Sequence, residues 1–522
     1  MPLQSANVPE ILTLQTWGVN QSVGRTTIDD TETWWCENFF PNAPGYLRAG
    51  YGPSAPIYTA PSGVQILRMF LGNITLVNPS AFLFLSNGEV HRVDLTTGAD
   101  VNLGNIWLPI SPPIWPADFK IWIPSQIGNV PGEVGIALIG SPAGLYAVDG
   151  NDTVTAPGAE APLQLTNNAP GVPMPQGLPG VYAMEVYQQR LWVSGNSVVS
   201  FSAPNNAVDF STAAGGGSFP YFGDKLTSSY TDMAQGGGFL YLFGDSMVDT
   251  ISGLNLIGSA GAPGTSLPYT TTFQLQNVDP QNGQRFYRPV GQLGQTFLTY
   301  TGDGIRALSG GQVQWISQKM TNLLNTIDAS EFQPTICAAD IFGKRWMLFN
   351  AKLTDPWGVA RSMMLCWDGA VWVIATQNLN LTNIGAWEGY STIHPYGTDG
   401  TSLYNLFAQP DPNLEKRIST KAWFGTYLNT IKDFKRLYVE IQDNQHGPEG
   451  VSLTGQFSTI GGSIPNGRED VAFDLVPGGY TTVPAPLFGK GLNGMLDLKS
   501  LSPDFALTRL SVTYEDRTLY GG

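Results

Sequence analysis

One phrase recurs along this chain and limits what it can become. A short apolar run rich in Val, Phe, Tyr and Trp is followed by a turn of Gly, Asn, Asp or Pro, and then by a second short run. The clearest copies lie between Gln189 and Gly253. Arg190-Leu191-Trp192-Val193-Ser194-Gly195 leads to Val198-Val199-Ser200-Phe201, then to Ala203-Pro204 and Val208-Asp209-Phe210. Beyond Gly215-Gly216-Gly217 come Phe239-Leu240-Tyr241-Leu242-Phe243 and Val248-Asp249-Thr250-Ile251-Ser252-Gly253. Runs this short, with β-branched and aromatic residues between turn formers, predict antiparallel strands joined by tight connections.

The phrase continues on both sides. Ile66–Phe70, Ala81–Leu85 and Val90–Leu95 form one unit, with a hairpin turn at Ser86-Asn87-Gly88. Phe119–Ile123, Val134–Ile139 and Leu145–Val148 form the next, with a turn at Asp149-Gly150-Asn151. Thr296–Tyr300, Ile305–Leu308 and Val313–Ile316 form another, and Arg345–Phe349, Met363–Trp367 and Ala370–Ile374 another. A last unit runs from Ile384 to Phe407. Recurrence every ~40 to 50 residues is the spacing of propeller blades, so the expectation is an all-β chain with a β-propeller of about six or seven blades. The seventh would need strands from the N-terminal lead-in to close the ring. A pair of β-sandwiches would give similar strand counts.

Three regions follow: residues 1–62 as an N-terminal arm with lead-in strands, 63–410 as the propeller, and 411–522 as a C-terminal all-β, sandwich-like domain. In the first, Ile11–Leu14 and Thr33–Cys36 read as strands, while Asn38–Pro41 and Gly50–Pro53 read as turns. Trp34, Trp35, Phe39 and Phe40 need burial, and packing onto the next domain is favoured over a ligand platform. In the third, Leu510-Ser511-Val512-Thr513-Tyr514 alternates with period two. One helix is expected where Ile316, Met320, Leu323, Leu324 and Ile327 share a face, with Ser317 as its N-cap and Ile316 just outside the first turn.

Charge narrows the function classes. With 41 acidic and 26 basic residues the net charge is -15, which disfavours a broad grip on phosphates. Charged residues make up 13%, about half the usual share, which suits a chain with much of its surface covered in an assembly. No run reaches the length of a membrane span, and no secretory signal is expected at the N-terminus, so folding in a cytoplasm is anticipated. Cys36, Cys337 and Cys366 are too scattered for a disulfide framework; Cys337 and Cys366, in apolar runs, read as buried thiols, which is favoured over a pairing between them.

Candidate chemistry is thin. His91, His394 and His446 lie at no metal-ligand spacing, and no nucleophile elbow or phosphate loop occurs. Gly302-Asp303-Gly304 and Gly397-Thr398-Asp399-Gly400 read as turns, and Gly215–Gly217 and Gly236–Gly238 as flexible or bulged connections. The basic cluster Lys416, Arg417, Lys421, Lys432, Lys435 and Arg436 reads as a solvated or inter-subunit face, which is favoured over a contact to DNA phosphates. Trp423, Phe424 and Tyr427 are interleaved with it. A carboxylate pair in a propeller funnel would allow glycoside hydrolysis. No catalytic, cofactor or metal residue is assigned, and no enzyme activity is expected.

Several of these phrases resemble the tail nozzle, or tail hub, proteins of short-tailed bacteriophages. The resemblance is carried by Arg190–Gly195, Val199–Pro204 with Asp209-Phe210, and Leu240–Ser246 with Ile251-Ser252-Gly253. Gly302–Leu308, Asn38-Phe39-Phe40-Pro41 and Leu47–Gly52 carry it further. It covers most of residues 35–330 and the rest more loosely. It implies a structural virion protein: a homo-hexameric ring below the portal and adaptor, made in the host cytoplasm, with a β-propeller around the DNA channel. Such a ring would retain packaged DNA and open for ejection. Implied partners are the adaptor, tail fibres or tailspikes, a tail needle, and DNA passing without sequence recognition. The long stretches 155–180, 203–224 and 254–290 are candidate gates. The alternative is a propeller glycosidase or carbohydrate-binding adsorption protein.

Overall fold

A computed structural model describes residues 8–13, 18–29, 32–43, 45–75, 79–107, 118–123, 135–160, 173–176, 178, 180–195, 198–220, 230–245, 247–258, 269–279, 283, 286, 290–389, 391–424, 430–444, 450–461 and 468–517. His446 and Tyr427 lie outside them, as do much of the stretches 155–180 and 254–290 and the end of 203–224.

Seven four-stranded antiparallel units succeed one another along the chain, and they are the blades of a propeller. Their first strands are Ile66–Gly72, Asp118–Trp122, Ala183–Tyr187, Asp232–Gly236, Gly291–Leu293, Thr335–Ile341 and Asn383–Glu388. The seventh blade supplies only three strands of its own. Its fourth is Tyr58–Thr59, which pairs with Ser402 and Leu403. The lead-in therefore closes the ring, and the count among the described residues is seven.

Between blades the apolar faces interdigitate in separate clusters. Phe82 and Phe84 of the first blade meet Phe119 and Ile139 of the second. Leu138 and Leu145 meet Leu191 and Val193. Trp192 and Phe201 meet Leu240 and Leu242, and Tyr241 and Phe243 meet Phe297. Tyr58 and Leu403 close on Met69 and Leu83. Each buried aromatic or aliphatic side chain in these seams contributes about 1.5–3 kcal/mol, so every seam is stabilised locally.

The C-terminal region is a two-sheet sandwich, and the N-terminal region completes it. One sheet runs Phe39–Ala43, Tyr46–Ala49, Phe505–Arg517, Ile431–Asp443, Tyr480–Pro486, with Val8–Thr13 also on Phe505–Arg517. The other runs Thr33–Glu37, Lys416–Thr420, Asn493–Ser500, Val451–Ile460, Arg468–Leu475. Thr33–Glu37 also pairs, in parallel, with Trp372–Ala375 of the sixth blade, so one nine-stranded sheet crosses from propeller to sandwich.

Several expectations are corrected. Asn38–Pro41 is not a turn: Phe39–Ala43 is a strand, and only Asn38 bends the chain, at φ 57. The helix is a 3-10 turn at Gln318–Met320 followed by Thr321–Leu324. Ser317 does not cap it, because its hydroxyl instead accepts bonds from the Ile305 amide and the Trp315 indole. Gly237-Gly238 is a tight two-residue hairpin, both residues at positive φ, where the strands' twist demands it.

Candidate functional site

Three places hold most of the sequence-selected residues, and the first is the outer part of blades three and four. Arg190 is 3% exposed. Its guanidinium donates to the carbonyls of Ser202 and Gly215, both at 2.7 Å, and to the Thr271 hydroxyl at 3.1 Å. Burial pulls its pKa below the ordinary value. The Ser202 hydroxyl accepts from the Leu191 amide, and Asn206 caps the turn by accepting from the amides of Val208 and Asp209. Trp192 is fully buried against Phe201 and Phe273. The motif Arg190–Gly195 with Ser202-Ala203-Pro204 and Asp209 therefore holds a buried cation on loop carbonyls of its own blade, and Thr271 and Phe273 join it to the fourth blade.

The second place is the junction of propeller and sandwich. Glu37, on the shared strand, receives both terminal nitrogens of Arg361 at 2.7 and 2.8 Å, and the Trp35 indole at 2.9 Å. Asn38 accepts from the Thr376 amide and donates to the Thr376 hydroxyl and the Glu415 carbonyl. Arg48 lies 4.2 Å above the Phe342 ring and reaches Asp504, whose Oδ2 also accepts from the Tyr51 hydroxyl. A Cβ on Gly52 would stand 2.5 Å from that of Asp411, so only glycine fits there. Trp35, Phe39 and Phe40 are core residues, as packing onto the next domain required. The sequence motif Asn38–Gly52 is the second tie.

The third place is the propeller axis. A cavity of about 330 Å³ is lined by Arg68, Phe70, Phe119, Lys120, Ile336 and Cys337, among others, and no carboxylate stands among the described residues that line it. The buried carboxylates of the first strands are already engaged. Glu185 accepts from Lys120 at 2.7 Å and from the Val186 amide, and Asp118 accepts from the amides of Phe119 and Met184. Asp232 accepts from the Met233 amide. Carboxylates held this way serve as hydrogen-bond acceptors within and between the blades.

The remaining candidates resolve individually. His91 bonds Asp100 at 2.8 Å beside Tyr58, in the seam that closes the ring, and His394 stacks on Trp387. Asp303 and Asp399 are turn residues. Burial pushes both carboxyls up, but hydrogen bonds and, at Asp303, Arg306 outweigh it and hold them below their ordinary range. All three cysteines are free and buried, with burial pushing the Cys337 thiol up to about 12.

The basic cluster is not one solvated face. Lys416 and Lys432 are fully buried, and Lys416 donates to the Asp411 carbonyl while Lys432 donates to that of Thr430. Lys435 pairs with Asp433 and Glu515, and Trp423 is core. Strand alternation splits the cluster across both sides of the sheets. Only Arg417 turns into an open groove of about 980 Å³ on the sandwich, where it stacks 3.4 Å over Trp357. Nothing in the sequence pairs Trp357 with Arg417, since the two come from different bodies.

No family model matches the sequence, and no curated protein matches it. Among solved structures, the chain is similar to BBS1N in complex with ARL6DN, at 9% identity over 69% of this chain and 96% of that one, with a TM-score of 0.36. It is similar to an exo-β-1,3-galactanase from Phanerochaete chrysosporium at 9% identity, over 89% and 99%, with a TM-score of 0.22. It is also similar to a carbohydrate-binding module of the β-sandwich superfamily at 7% identity, over 43% and 98%, with a TM-score of 0.14. At these scores they are likenesses of all-β form, and the fold rests on the chain's own topology.

Proposed function

We propose that this chain is a structural protein of a virion tail, a nozzle subunit. A homo-hexameric ring of it would extend the DNA channel below the portal and adaptor, retain packaged DNA, and open for ejection. The observation that carries the reading is what the two resemblance-bearing motifs do. Arg190 reaches Thr271 of the next blade, and Asn38–Gly52 ties propeller to sandwich. Sequence signatures devoted to rigid ties suit a part that bears load, not one that turns over a substrate. The net charge of -15 supports it as well, because a channel wall must let phosphates slide past.

The glycosidase reading has less support, since the buried first-strand carboxylates are held by Lys120 and backbone amides. The test is DNA retention. Tail-less particles carrying portal and adaptor are incubated with the purified chain, and nuclease-resistant DNA is measured. Protection that rises with added chain supports the reading. Loss of DNA at every concentration, together with cleavage of a host polysaccharide, would replace it with the glycosidase.

A further inference from the structure

The fourth blade carries a ribbon with an unusual composition. Its last two strands, Val248–Ile257 and Thr270–Asp279, are each ten residues long, whereas the neighbouring strand Phe239–Phe243 pairs only as far as Ile251. From Ser252 to Ile257 the third strand pairs with Thr270–Asp279 alone, so the ribbon runs ~17 Å past the body of its blade. Residues 250–278 contain no Asp, Glu, Lys, Arg or His, the longest such stretch in the chain.

One face of the ribbon is fixed: Phe273 packs on Trp192, Phe201 and Phe219, and Thr271 bonds Arg190. The other face presents Thr272, Gln274 and Gln276 to solvent, and its far end exposes Leu256, Ile257 and Tyr269 at 42%, 56% and 48%. Thr270–Asp279 is an outer strand, and within it no proline or charge blunts its open edge before Asp279.

The sandwich groove is the opposite case. It follows Thr454–Ile460 for ~20 Å, with Thr454, Gln456 and Ser458 along it. Arg25 is taken by Asp497, and Lys499 stands 3.9 Å from Glu415. Among the described residues Arg417 and Arg468 have no ion pair, and Asp470 is the only other carboxylate in the lining. Stacking on Trp357 fixes the Arg417 guanidinium while leaving its in-plane N–H donors free. At one end of the groove Ile460 is 42% exposed. Phe488, which precedes the Gly489 that packs on Thr459 and whose amide is bonded to Glu469 beside Arg468, is 79% exposed.

We infer that the ribbon of one copy docks into the sandwich groove of the next. The argument is electrostatic first. Two copies each of net charge -15 repel over most of their surfaces, so contact is favoured where one side lacks charge and the other has surplus cation. The ribbon and the groove meet those two conditions. Leu256, Ile257 and Tyr269 cover Ile460 and Phe488, and the Thr and Gln face supplies neutral oxygens to Arg417 and Arg468. The two surfaces lie on different parts of the molecule, so the contact is head-to-tail and generates a ring when its rotation closes. The inference rests on the nozzle reading only in requiring copies to associate.

The test uses two full-length variants at exposed positions, Ile257→Asp and Phe488→Asp, with mass photometry and sedimentation velocity, alone and on the adaptor. Each variant alone is expected to associate at least ~10-fold more weakly than wild type, with an unchanged melting temperature. Mixed one to one, they are expected to form dimers and nothing larger. The Phe488→Asp chain keeps its ribbon and the Ile257→Asp chain keeps its groove. Rings that persist in both variants would overturn this contact and leave the nozzle reading standing. A mixture that stays monomeric would overturn it too, and wild-type chains that never associate would overturn both.

Discussion

The propeller and the sandwich are both built of antiparallel strands, but they are assembled from the chain in opposite ways. Six of the seven blades use consecutive residues, and their cores lie between sequence neighbours. The sandwich joins strands from both ends of the chain. Arg25 bonds the carbonyls of Thr420 and Leu496, and Phe39 packs its ring edge-on to Phe505. The propeller therefore depends on many short-range seams, each stabilised on its own. The sandwich depends on a few N-terminal residues arriving from several hundred positions away.

That contrast predicts different failures. Phe39→Ala removes a ring that is 1% exposed and should cost ~3–5 kcal/mol. Hydrogen exchange should then rise across Phe505–Arg517 and Ile431–Asp443 while blades two to four keep their protection. Trp192→Ala should cost a similar ~3–5 kcal/mol, yet confine faster exchange to blades three and four. Uniform loss of protection in either variant would erase the distinction.

Arg190→Met should cost ~2–3 kcal/mol, because the carbonyls of Ser202 and Gly215 lose a charged donor. Exchange of the Thr270–Asp279 amides reports it, and Arg190→Lys should not rescue them, since one ammonium cannot reproduce the fork.

A smaller effect comes from Lys416. Burial lowers its pKa from the ordinary 10.5 to about 8. Between those values the unfolded chain binds a proton that the folded chain does not, so stability rises with pH across that window and is lost as pH falls through it. Lys416→Met should flatten that slope in denaturant titrations and raise stability at pH 7 by ~1–3 kcal/mol. A slope unchanged by the substitution would show that the buried amine keeps its proton. The smallest effect is expected at Asp303→Asn, an exposed turn, at under ~1 kcal/mol by thermal melting.

Legibility in the sequence follows the same division. Blade strands such as Ser80–Leu85 with Glu89–Asp94 were readable because strand, turn and partner are adjacent and Gly88 supplies the turn. Ring closure by Tyr58–Thr59 was readable only as a need for extra strands, since two residues carry no period. The burial of Lys416 and Lys432 was hidden because a charge run looks solvated until the strands' faces are known. Asn38 looked like a turn former and does bend the chain, but Phe39 and Phe40 continue as a strand because the sandwich buries them. The groove was invisible for the strongest reason: Trp357, Arg417 and Arg468 meet only after the two bodies are joined.

The central claim is that this chain forms a ring that continues a DNA channel. Electron microscopy of the purified protein, alone and with the portal–adaptor complex from the same source, tests it most directly. The account predicts sixfold rings seated coaxially on the adaptor with an open lumen. Monomers that ignore the adaptor would contradict it.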